Sequence, residues 1–374
     1  MPRILHTADW QIGRLFGRFA PEDAIALAEA RLTTIERIAS LATQESVDAI
    51  LVAGDVFDSQ TVSDRTIRRT FNAMQGFAGP WILIPGNHDA ALAESVWQRA
   101  RRLGAIAKNI HIALEPRILE FREIGLSVLA APLTQRQTYS DLTEWFDDAD
   151  TPADLLRIGL AHGSAQGVLA EDIDSPNPIA GDRAQQARLD YLALGDWHGC
   201  KQINERTWYS GTPEQERFKD NESGHVLIVD LPGGGMPPRV QPYATGQYNW
   251  QQWREHLVMA SDLDQLLERL KTQSPSSVLD LVISGELDLA GHQRLLQELA
   301  VAEARYRSVQ CDMSNLRLEP TDADIANLHA DGYVGEVITE LRESQHTEST
   351  PSARDALAIL ASLLRDRQAQ GGQA

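Results

Sequence analysis

Cysteine and long apolar runs are both scarce in this sequence of 374 residues. Only Cys200 and Cys311 are present, too few for the disulfide framework of a small secreted fold, and two thiols suit a reducing compartment. No run of about 18 apolar residues occurs, and the segment from Met1 to His6 lacks the pattern of a signal peptide. We therefore predict a cytoplasmic protein that makes no use of a membrane.

Positive charge is also in short supply. Lysine and arginine number 34 against 53 aspartates and glutamates, which gives a net charge of −19. Affinity for DNA comes largely from lysine and arginine that neutralise phosphates, so DNA binding here would require a local basic patch, bound divalent ions or a basic partner. The apolar fraction of 43% and the charged fraction of 23% are those of a folded globular protein, which excludes a fibrous or wholly disordered chain.

The first 230 residues alternate short aliphatic runs with longer segments of helical period. This order predicts a layered α/β fold. The predicted strands are Arg3 to Thr7, Asp48 to Ala53, Trp81 to Ile84, Gly125 to Ala130, Arg157 to His162, Tyr191 to Leu194 and Gly224 to Leu231. The apolar face predicted for the first helix consists of Ile25, Ala28, Leu32, Ile35 and Ala39.

Composition and periodicity divide the chain into three predicted parts. Residues 1–245 form the large catalytic domain, 246–320 a small α+β domain and 321–374 a helical tail. The polar segment from Ala244 to His256 is predicted to be a linker. The last helix has a capping-box start at Ser352, and two alternatives stay open for the tail. It either folds back on the protein or docks as an amphipathic helix on another protein.

Five short polar motifs follow successive predicted strands. Open α/β sheets place their ligand sites at such strand ends, so the order of the motifs is a stronger signal than any one of them. The motifs are Asp9-Trp10-Gln11, Gly54-Asp55-Val56-Phe57-Asp58, Gly86-Asn87-His88-Asp89, Ala161-His162-Gly163 and Gly195-Asp196-Trp197-His198-Gly199.

These residue types point to a pair of divalent metal ions. Two ions about 3.5–4 Å apart need a bridging carboxylate and oxygen or nitrogen ligands from several strand ends, and Asp55 is the candidate bridge. Residues at i and i+2 project to the same side of a strand, so Asp9 with Gln11, and Asp196 with His198, can each present two ligands. Such a centre polarises phosphoryl oxygens and lowers the pKa of a bound water.

His88 is the candidate for stabilising or protonating the leaving oxygen. It directly follows a proposed ligand, Asn87, and the carboxylate of Asp58 could orient its imidazole. These two residues, His88 and Asp58, are therefore predicted to be catalytic.

The ordered motifs resemble the calcineurin-like metallophosphoesterase superfamily, with its signature D-x-H, G-D-x-x-D, G-N-H-D/E, a histidine after a strand, and G-H-x-H. The segments His6 to Arg14 and Tyr209 to Pro213 resemble the SbcD and YhaO-type DNA-repair exonucleases. The resemblance implies a layered β-sandwich flanked by helices, with a small cap domain that helps to position DNA. It also implies a tail that binds an SbcC-type coiled-coil ATPase, and a homodimer.

The resemblance also implies two ligand sets that share one carboxylate. One set is Asp9, Gln11, Asp55 and His198, and the other is Asp55, Asn87, His162 and Asp196. Gln11 and Asp196 depart from the family pattern, because each stands where the family has a histidine. Our hypothesis is that both remain ligands in an oxygen-rich site that favours Mn²⁺ or Mg²⁺. The rival hypothesis is that one metal is weakened and activity is low or lost.

Three functions stay open at this point. The leading prediction is a metal-dependent DNA exonuclease or endonuclease that works with an ATPase. The second is a phosphodiesterase or phosphatase acting on a small molecule, which the acidic charge favours. The third is a nuclease-like scaffold subunit without turnover. Arg14 is the candidate for contacting the substrate, as part of a basic groove that would also contain Arg18, Arg65, Arg68 and Arg69.

Overall fold

The computed structural model describes residues 1–167, 176–219, 221–233, 235–319, 321, 332–347 and 351–371. The chain divides into two compact units, Met1–Gln247 and Tyr248–Ala374. Each unit contains a hydrophobic core of its own. Of the predicted tail, residues 322–331, 348–350 and 372–374 lie outside the described residues.

The first unit is built from strands and helices that alternate along the chain. The strands are β1 (Arg3–Thr7), β2 (Ala49–Ala53), β3 (Trp81–Ile84), β4 (Ile110–Ile112), β5 (Arg117–Phe121), β6 (Leu126–Ala131), β7 (Leu156–His162), β8 (Ser164–Ala165), β9 (Pro178–Ile179), β10 (Tyr191–Gly195), β11 (Lys201–Gln202), β12 (Thr207–Tyr209), β13 (His225–Asp230) and β14 (Arg239–Ala244). The helices are α1 (Pro21–Gln44), α2 (Asp64–Ala73), α3 (Val96–Arg102) and α4 (Arg183–Gln186).

Two six-stranded sheets carry the fold of this unit. The first has the order β14-β13-β1-β2-β3-β4, and the second has the order β11-β12-β10-β7-β6-β5. Strands β1 to β4 run parallel to one another, as do β6, β7, β10 and β12. Parallel neighbours bring their carboxyl ends to one edge of each sheet, and the predicted polar motifs lie at those ends.

The two sheets share a continuous apolar core. Ile4 and Leu51 from the first sheet pack in one cluster with Val128, Leu160 and Tyr191 from the second. The opposite face of the first sheet is covered by helices in a separate cluster. The layered α/β sandwich predicted from the sequence is therefore confirmed, and each predicted strand is present to within one residue at either end.

One prediction for helix α1 was wrong. Ile25, which was predicted to lie on the apolar face, is 66% exposed, whereas Leu32, Ile35 and Ala39 are buried as expected. The buried positions begin at Leu27, and from Leu32 onward they include members of the apolar cluster that lies against the sheet.

The second unit contains a three-stranded parallel sheet, and one helix connects each strand to the next along the chain. It contains β15 (Asn249–Leu257), α5 (Ala260–Lys271), β16 (Ser277–Leu287), α6 (Leu289–Arg305), β17 (Ser308–Leu318), α7 (Tyr333–Thr347) and α8 (Pro351–Gly371). All three strands are parallel in the order β15-β16-β17. The predicted small α+β domain is thus a β-α-β-α-β unit followed by two helices.

The segment predicted to be a linker, Ala244 to His256, forms most of β15. Its buried positions recur as Trp250, Trp253 and Leu257, while polar side chains fill the positions between them. Among the described residues the strand pairs on one side only, with β16, so a polar sequence is tolerated there. The high content of glutamine concealed this pattern in the sequence.

The two C-terminal helices pack on their own unit. Ile338 of α7 and Leu357 of α8 are buried in a cluster with Leu289 and Leu318. These helices therefore pack on the β-α-β-α-β unit, and docking of another protein on them stays a prediction. Across the residues that the structure describes, we find no helix with the length and apolar composition needed to span a membrane.

Candidate metal centre

The loops after β1 and β2 are joined by main-chain hydrogen bonds. The amide of Asp9 donates to the carbonyl of Gly54 at 3.1 Å, and the amide of Gln11 donates to the carbonyl of Asp55 at 2.9 Å. Asp9, Gln11 and Asp55 all have positive φ, at 53°, 49° and 52°. Residues other than glycine rarely adopt this backbone conformation, and among them asparagine and aspartate tolerate it best. The left-handed turns bring side chains from both loops into one buried site.

The absence of a side chain at Gly86 allows the loop after β3 to approach this site closely. A Cβ atom at Gly86 would lie 2.2 Å from Oδ1 of Asp55, which no packing could accept. The motif Gly86-Asn87-His88 can therefore run directly against the carboxylate, and the amide of His88 donates to Oδ1 of Asp55 at 2.9 Å.

Asp9, Asp55 and His162 form a compact group of two carboxylates and one imidazole, which we call the acidic group. One ligand atom from each lies within 4.8 Å of the other two, and all three side chains are buried. Burial raises the pKa of Asp9 to about 6, and the nearby charges of Asp55 and Asp196 contribute to the rise. Several carboxylates close together without water are unfavourable unless a cation neutralises them. The group therefore suits a divalent metal ion.

The ring of His162 has one nitrogen fixed by the main chain and one directed at the acidic group. Nδ1 donates to the carbonyl of Ala53 at 2.8 Å. Nε2 lies 2.9 Å from Oδ1 of Asn87, 3.7 Å from Asp55 and 3.8 Å from Asp196. Burial alone would lower the pKa of His162, but the surrounding carboxylates raise it to about 9. A main-chain hydrogen bond of this kind orients a histidine whose other nitrogen binds a metal.

Gln11 also faces this group. Its Nε2 donates to Oδ2 of Asp55 at 2.8 Å, and its buried Oε1 has no hydrogen-bond partner among the described residues. A buried acceptor without a partner is costly, so it indicates a missing donor or cation. The donor set of Asp9, Asp55, His162 and Gln11 therefore fits an oxygen-preferring divalent ion.

Asp196 reaches the same group from the end of β10. Its amide lies 3.2 Å from both carboxylate oxygens of Asp9, and its φ of 104° turns the backbone at this point. Burial raises the pKa of Asp196 above its ordinary value. The compact group of Asp9, Asp55 and His162 combines members of both predicted ligand sets, which meet at Asp55.

His198 is held by a buried carboxylate that the sequence motifs did not reveal. Nδ1 of His198 lies 2.5 Å from Oε1 of Glu216. Burial alone would lower the pKa of His198, but its hydrogen bond to Glu216 raises the pKa overall. With Nδ1 engaged by Glu216, the Nε2 atom of this histidine is the one left to act as a ligand.

Glu216 is surrounded by basic groups. Its Oε2 accepts from Arg31 at 2.8 Å and lies 3.1 Å from Nε of Arg14, and Arg217 also contacts the carboxylate. Burial alone would raise the pKa of Glu216, but His198, Arg31 and Arg14 hold it well below its ordinary value. Glu216 lies in a polar run after Pro213, and nothing in that run distinguishes it from an exposed glutamate. The sequence indicates the role of Arg31 only in that this residue interrupts the apolar face of α1.

His88 contacts Asp58, though not by the group that was predicted. Nδ1 of His88 lies 2.9 Å from the main-chain carbonyl of Asp58, whereas the carboxylate of Asp58 lies 3.5 Å from Arg14. The loop therefore orients the imidazole through its backbone. The side chain of His88 is 41% exposed and lines a cavity of about 280 Å³ together with Asn87, Arg136 and Gln137.

Arg14, the predicted substrate contact, joins two sides of the site. It bridges Asp58 and Glu216, and its side chain is 30% exposed. Within the basic groove that was predicted, Arg69 is paired with Glu29 at 2.5 Å. Arg18 lies over the rings of Phe19 and Phe218.

Asp89 is a buried aspartate in the third motif, and the sequence had predicted no role for it. Its carboxylate accepts from the amides of Phe57 at 3.1 Å and Gly86 at 2.7 Å. Burial raises its pKa to about 8, with Asp55 contributing. Asp89 therefore ties the β2 loop to the β3 loop on which Asn87 and His88 lie.

Comparison with known proteins agrees with this geometry. The family model described as calcineurin-like phosphoesterase matches residues 2–186. This part of the chain is a calcineurin-like phosphoesterase domain. The match contains Asp9, Asp55, His88 and His162, and the domain is a metal-dependent hydrolase that uses divalent ions.

Similar proteins of known name include nuclease subunits. The chain is 28% identical to the SbcD subunit of the SbcCD nuclease of Rhodobacter capsulatus over 283 residues, covering 64% of this chain and 68% of that protein. It is 26% identical to the SbcD subunit of the SbcCD nuclease of Escherichia coli K12, covering 79% and 82%. It is 24% identical to the DNA double-strand break repair protein Mre11 of Methanosarcina acetivorans, covering 76% of this chain but 46% of that protein.

Proposed function

We propose that this protein is a DNA nuclease of DNA repair that hydrolyses phosphodiester bonds with two divalent ions. The observation that carries the chemistry is the buried group of Asp9, Asp55 and His162 beside the cavity lined by His88. The choice of DNA is supported by relatives named as SbcCD nuclease subunits and as a double-strand break repair protein. We also propose that the protein acts in the cytoplasm.

Each candidate ligand has a proposed place. Asp55 is the carboxylate that the two sites share. One site is completed by Asp9, Gln11 and His198, and the other is completed by Asn87, His162 and Asp196. When bound, the ions polarise the phosphoryl group and lower the pKa of a bound water. His88, held at Nδ1 by the carbonyl of Asp58, stabilises or protonates the leaving oxygen from Nε2.

Manganese is the proposed ion, with magnesium as the alternative. The oxygen ligands Gln11 and Asp196 stand at positions where the family has nitrogen ligands, and Mn²⁺ and Mg²⁺ prefer oxygen more than Zn²⁺ does. The unpartnered Oε1 of Gln11 supports this assignment. Activity measured with Mn²⁺, Mg²⁺ and Zn²⁺ after removal of endogenous metal should rank Zn²⁺ last.

The deciding experiment is cleavage of end-labelled linear DNA by purified protein with Mn²⁺, beside the small ester bis-nitrophenyl phosphate. His88→Ala should abolish cleavage of DNA. His111→Ala is the matched control, because that histidine packs on Phe121 in β5 and should retain activity. Cleavage of the ester alone would move the function to a small-molecule phosphodiesterase. No cleavage of either substrate would favour a scaffold subunit.

The partner is proposed to be an SbcC-type coiled-coil ATPase that docks on helix α8. One face of α8 is buried through Leu357, while Ile359 and Leu363 are 60% and 61% exposed at positions i and i+4. An exposed apolar pair on a helix suits a partner helix or groove.

Substitution of this apolar pair tests the docking surface. Ile359→Ser with Leu363→Ser should abolish co-purification of the ATPase. The matched control is Leu296→Ser with Val301→Ser, a second pair of exposed apolar residues that lies on α6. Equal loss of the partner in both double variants would contradict docking on α8. Homodimer formation stays a prediction from the resemblance.

A further inference from the structure

Two lysines lie against one tryptophan ring next to the candidate metal ligands. Nζ of Lys201 is 5.1 Å and Nζ of Lys219 is 4.7 Å from the ring centre of Trp197. Both distances lie within the range of cation–π attraction, which holds an ammonium group in place without neutralising its charge. Trp197 stands between Asp196 and His198 in the chain, and the amide of Lys219 donates to the carbonyl of Arg217, whose side chain contacts His198, so the patch lies on the loops that carry two candidate ligands.

The segment that carries Lys219 is fixed along the loop that carries Trp197. The amide of Cys200 donates to the carbonyl of Glu222 at 3.3 Å. A Cβ atom at Gly199 would lie 2.0 Å from the carbonyl of Asn221, so the two stretches are in close contact. Nη2 of Arg217 lies 2.9 Å from Nδ1 of His198. The lysines are therefore positioned by packed backbone and not only by flexible side chains.

The charge of this patch contrasts with that of the chain. The protein carries a net charge of −19, and surface arginines such as Arg69 and Arg269 are paired with glutamates. Among the described residues, neither Lys201 nor Lys219 forms an ion pair with an aspartate or glutamate. Their charges are available to an anion from outside the protein, and a phosphodiester chain entering the site supplies anions at regular spacing.

We propose that Lys201 and Lys219, held by Trp197, bind the DNA phosphates that flank the scissile one. This inference rests on the proposed nuclease function and adds the direction from which the strand enters, past the loop of residues 196–201. It also explains how an acidic protein could hold DNA, because the binding is confined to a local patch. Neutral aromatic support preserves the full charge of each lysine for counter-ion release.

The test is equilibrium binding of an end-labelled oligonucleotide to protein carrying His88→Ala, so that the DNA is not degraded. The double variant Lys201→Gln with Lys219→Gln is compared with Lys108→Gln, which alters an exposed lysine elsewhere in the first unit. Each phosphate contact contributes about 0.7 to 0.9 to the slope of log K against log salt. The double variant should lower that slope by about 1.4 to 1.8 and weaken binding by about ten-fold or more at 0.1 M salt.

A kinetic measurement in the active protein separates this inference from the proposed function. The ratio of kcat/KM for DNA to kcat/KM for bis-nitrophenyl phosphate should fall about ten-fold in the double variant, because the small ester has no flanking phosphates. An unchanged salt slope and ratio would overturn the role of the lysines while leaving the nuclease intact. Failure of the unaltered protein to bind or cleave DNA, with ester hydrolysis retained, would overturn both. The thermal midpoint of the double variant verifies that it folds.

Discussion

Arg31 and Glu216 form an ion pair whose side chains are 2% and 1% exposed, whereas Arg294 and Asp264 in the second unit form one whose side chains are 54% and 58% exposed. The same contrast runs through both units. Around the candidate metal centre, Asp9, Asp55 and His162 are buried. In the second unit, the core consists of apolar side chains, and ion pairs such as Arg294 with Asp264 lie at the surface.

The contrast shows where the first unit gives up stability. Removing a charge from water costs several kcal/mol even when it gains a partner, and an apolar replacement is often as stable. A cluster such as Asp9, Asp55 and Asp196 therefore serves chemistry and not folding. The second unit has no such cluster among its described residues.

Asp55→Asn should produce the largest effect and separate activity from stability. The bridging carboxylate is lost, so hydrolysis of DNA and of the small ester should fall about 10³-fold or more. Above about pH 9, where His162 has lost its proton, the metal-free protein should be as stable as the original or more so, because one of several buried like charges is removed. The amide of Gln11, which donates to Oδ2 of Asp55, can donate to the new amide oxygen. Activity assays and thermal melts in EDTA check both expectations. Full activity would remove Asp55 from its proposed role.

Glu216→Gln should cost the most stability. The change leaves the buried Arg31 without its charged partner, and loss of one member of a buried ion pair costs about 3–5 kcal/mol. It should also weaken metal binding through His198, because the acceptor at Nδ1 loses its negative charge.

The matched control for Glu216→Gln is Glu205→Gln, because Glu205 is exposed and should tolerate the change. Denaturant unfolding and metal titration measure the two effects. Equal free energies of unfolding for the two variants would contradict the comparison between buried and exposed charge.

The metal-free protein should lose stability as the pH rises. The folded-state pKa values of His162 and Asp9 are both raised, to about 9 and about 6. A group with a raised pKa binds its proton more tightly in the folded state, so its contribution is present at low pH and is lost as the pH passes the folded value. The thermal midpoint in EDTA should fall by on the order of 5 °C between about pH 6 and pH 9.

Metal ions should reverse this trend, because binding requires the deprotonated forms of both residues. The stabilisation by Mn²⁺ should therefore be larger at about pH 8 than at about pH 6. His111→Ala, outside the acidic group, should leave the trend unchanged. A midpoint in EDTA that increases with pH would contradict the environment described for His162.

Arg294→Gln should have the smallest effect. Its ion pair with Asp264 is exposed on both sides, and such pairs contribute about 0–1 kcal/mol. Denaturant unfolding should show a change within that range, and high salt should reduce it further. A cost comparable to that of Glu216→Gln would show that the second unit also depends on charge.

The sequence predicted well those features that depend on short-range patterns. Strands such as β1 and β7 are aliphatic runs bounded by turn residues, and the polar motifs follow them directly. Asp9 and Asp55 lie together because β1 and β2 are parallel neighbours, a consequence of topology that the order of motifs already indicated, whereas His162 reaches them from β7 in the other sheet.

The features that were missed depend on contacts between distant segments. Glu216 is buried only because Arg31, 185 residues earlier, and His198 come to meet it. The strand β15 was missed because glutamine and charged residues alternate with its buried tryptophans. The role of Asp58 depends on which of its oxygens meets the ring of His88, and a residue type alone cannot specify a main-chain contact.

The position of β1 also has a consequence for synthesis on the ribosome. Its partner β13 places Asp230 opposite Arg3, 227 residues later. At roughly 5–20 residues per second, the edge of β1 stays unpaired for roughly 10–45 seconds after it is made. An unpaired strand edge is a template for other chains, so the nascent protein has an interval in which chaperones should bind it. The strand that supports Asp9 is completed in its sheet only after the chain has reached Asp230.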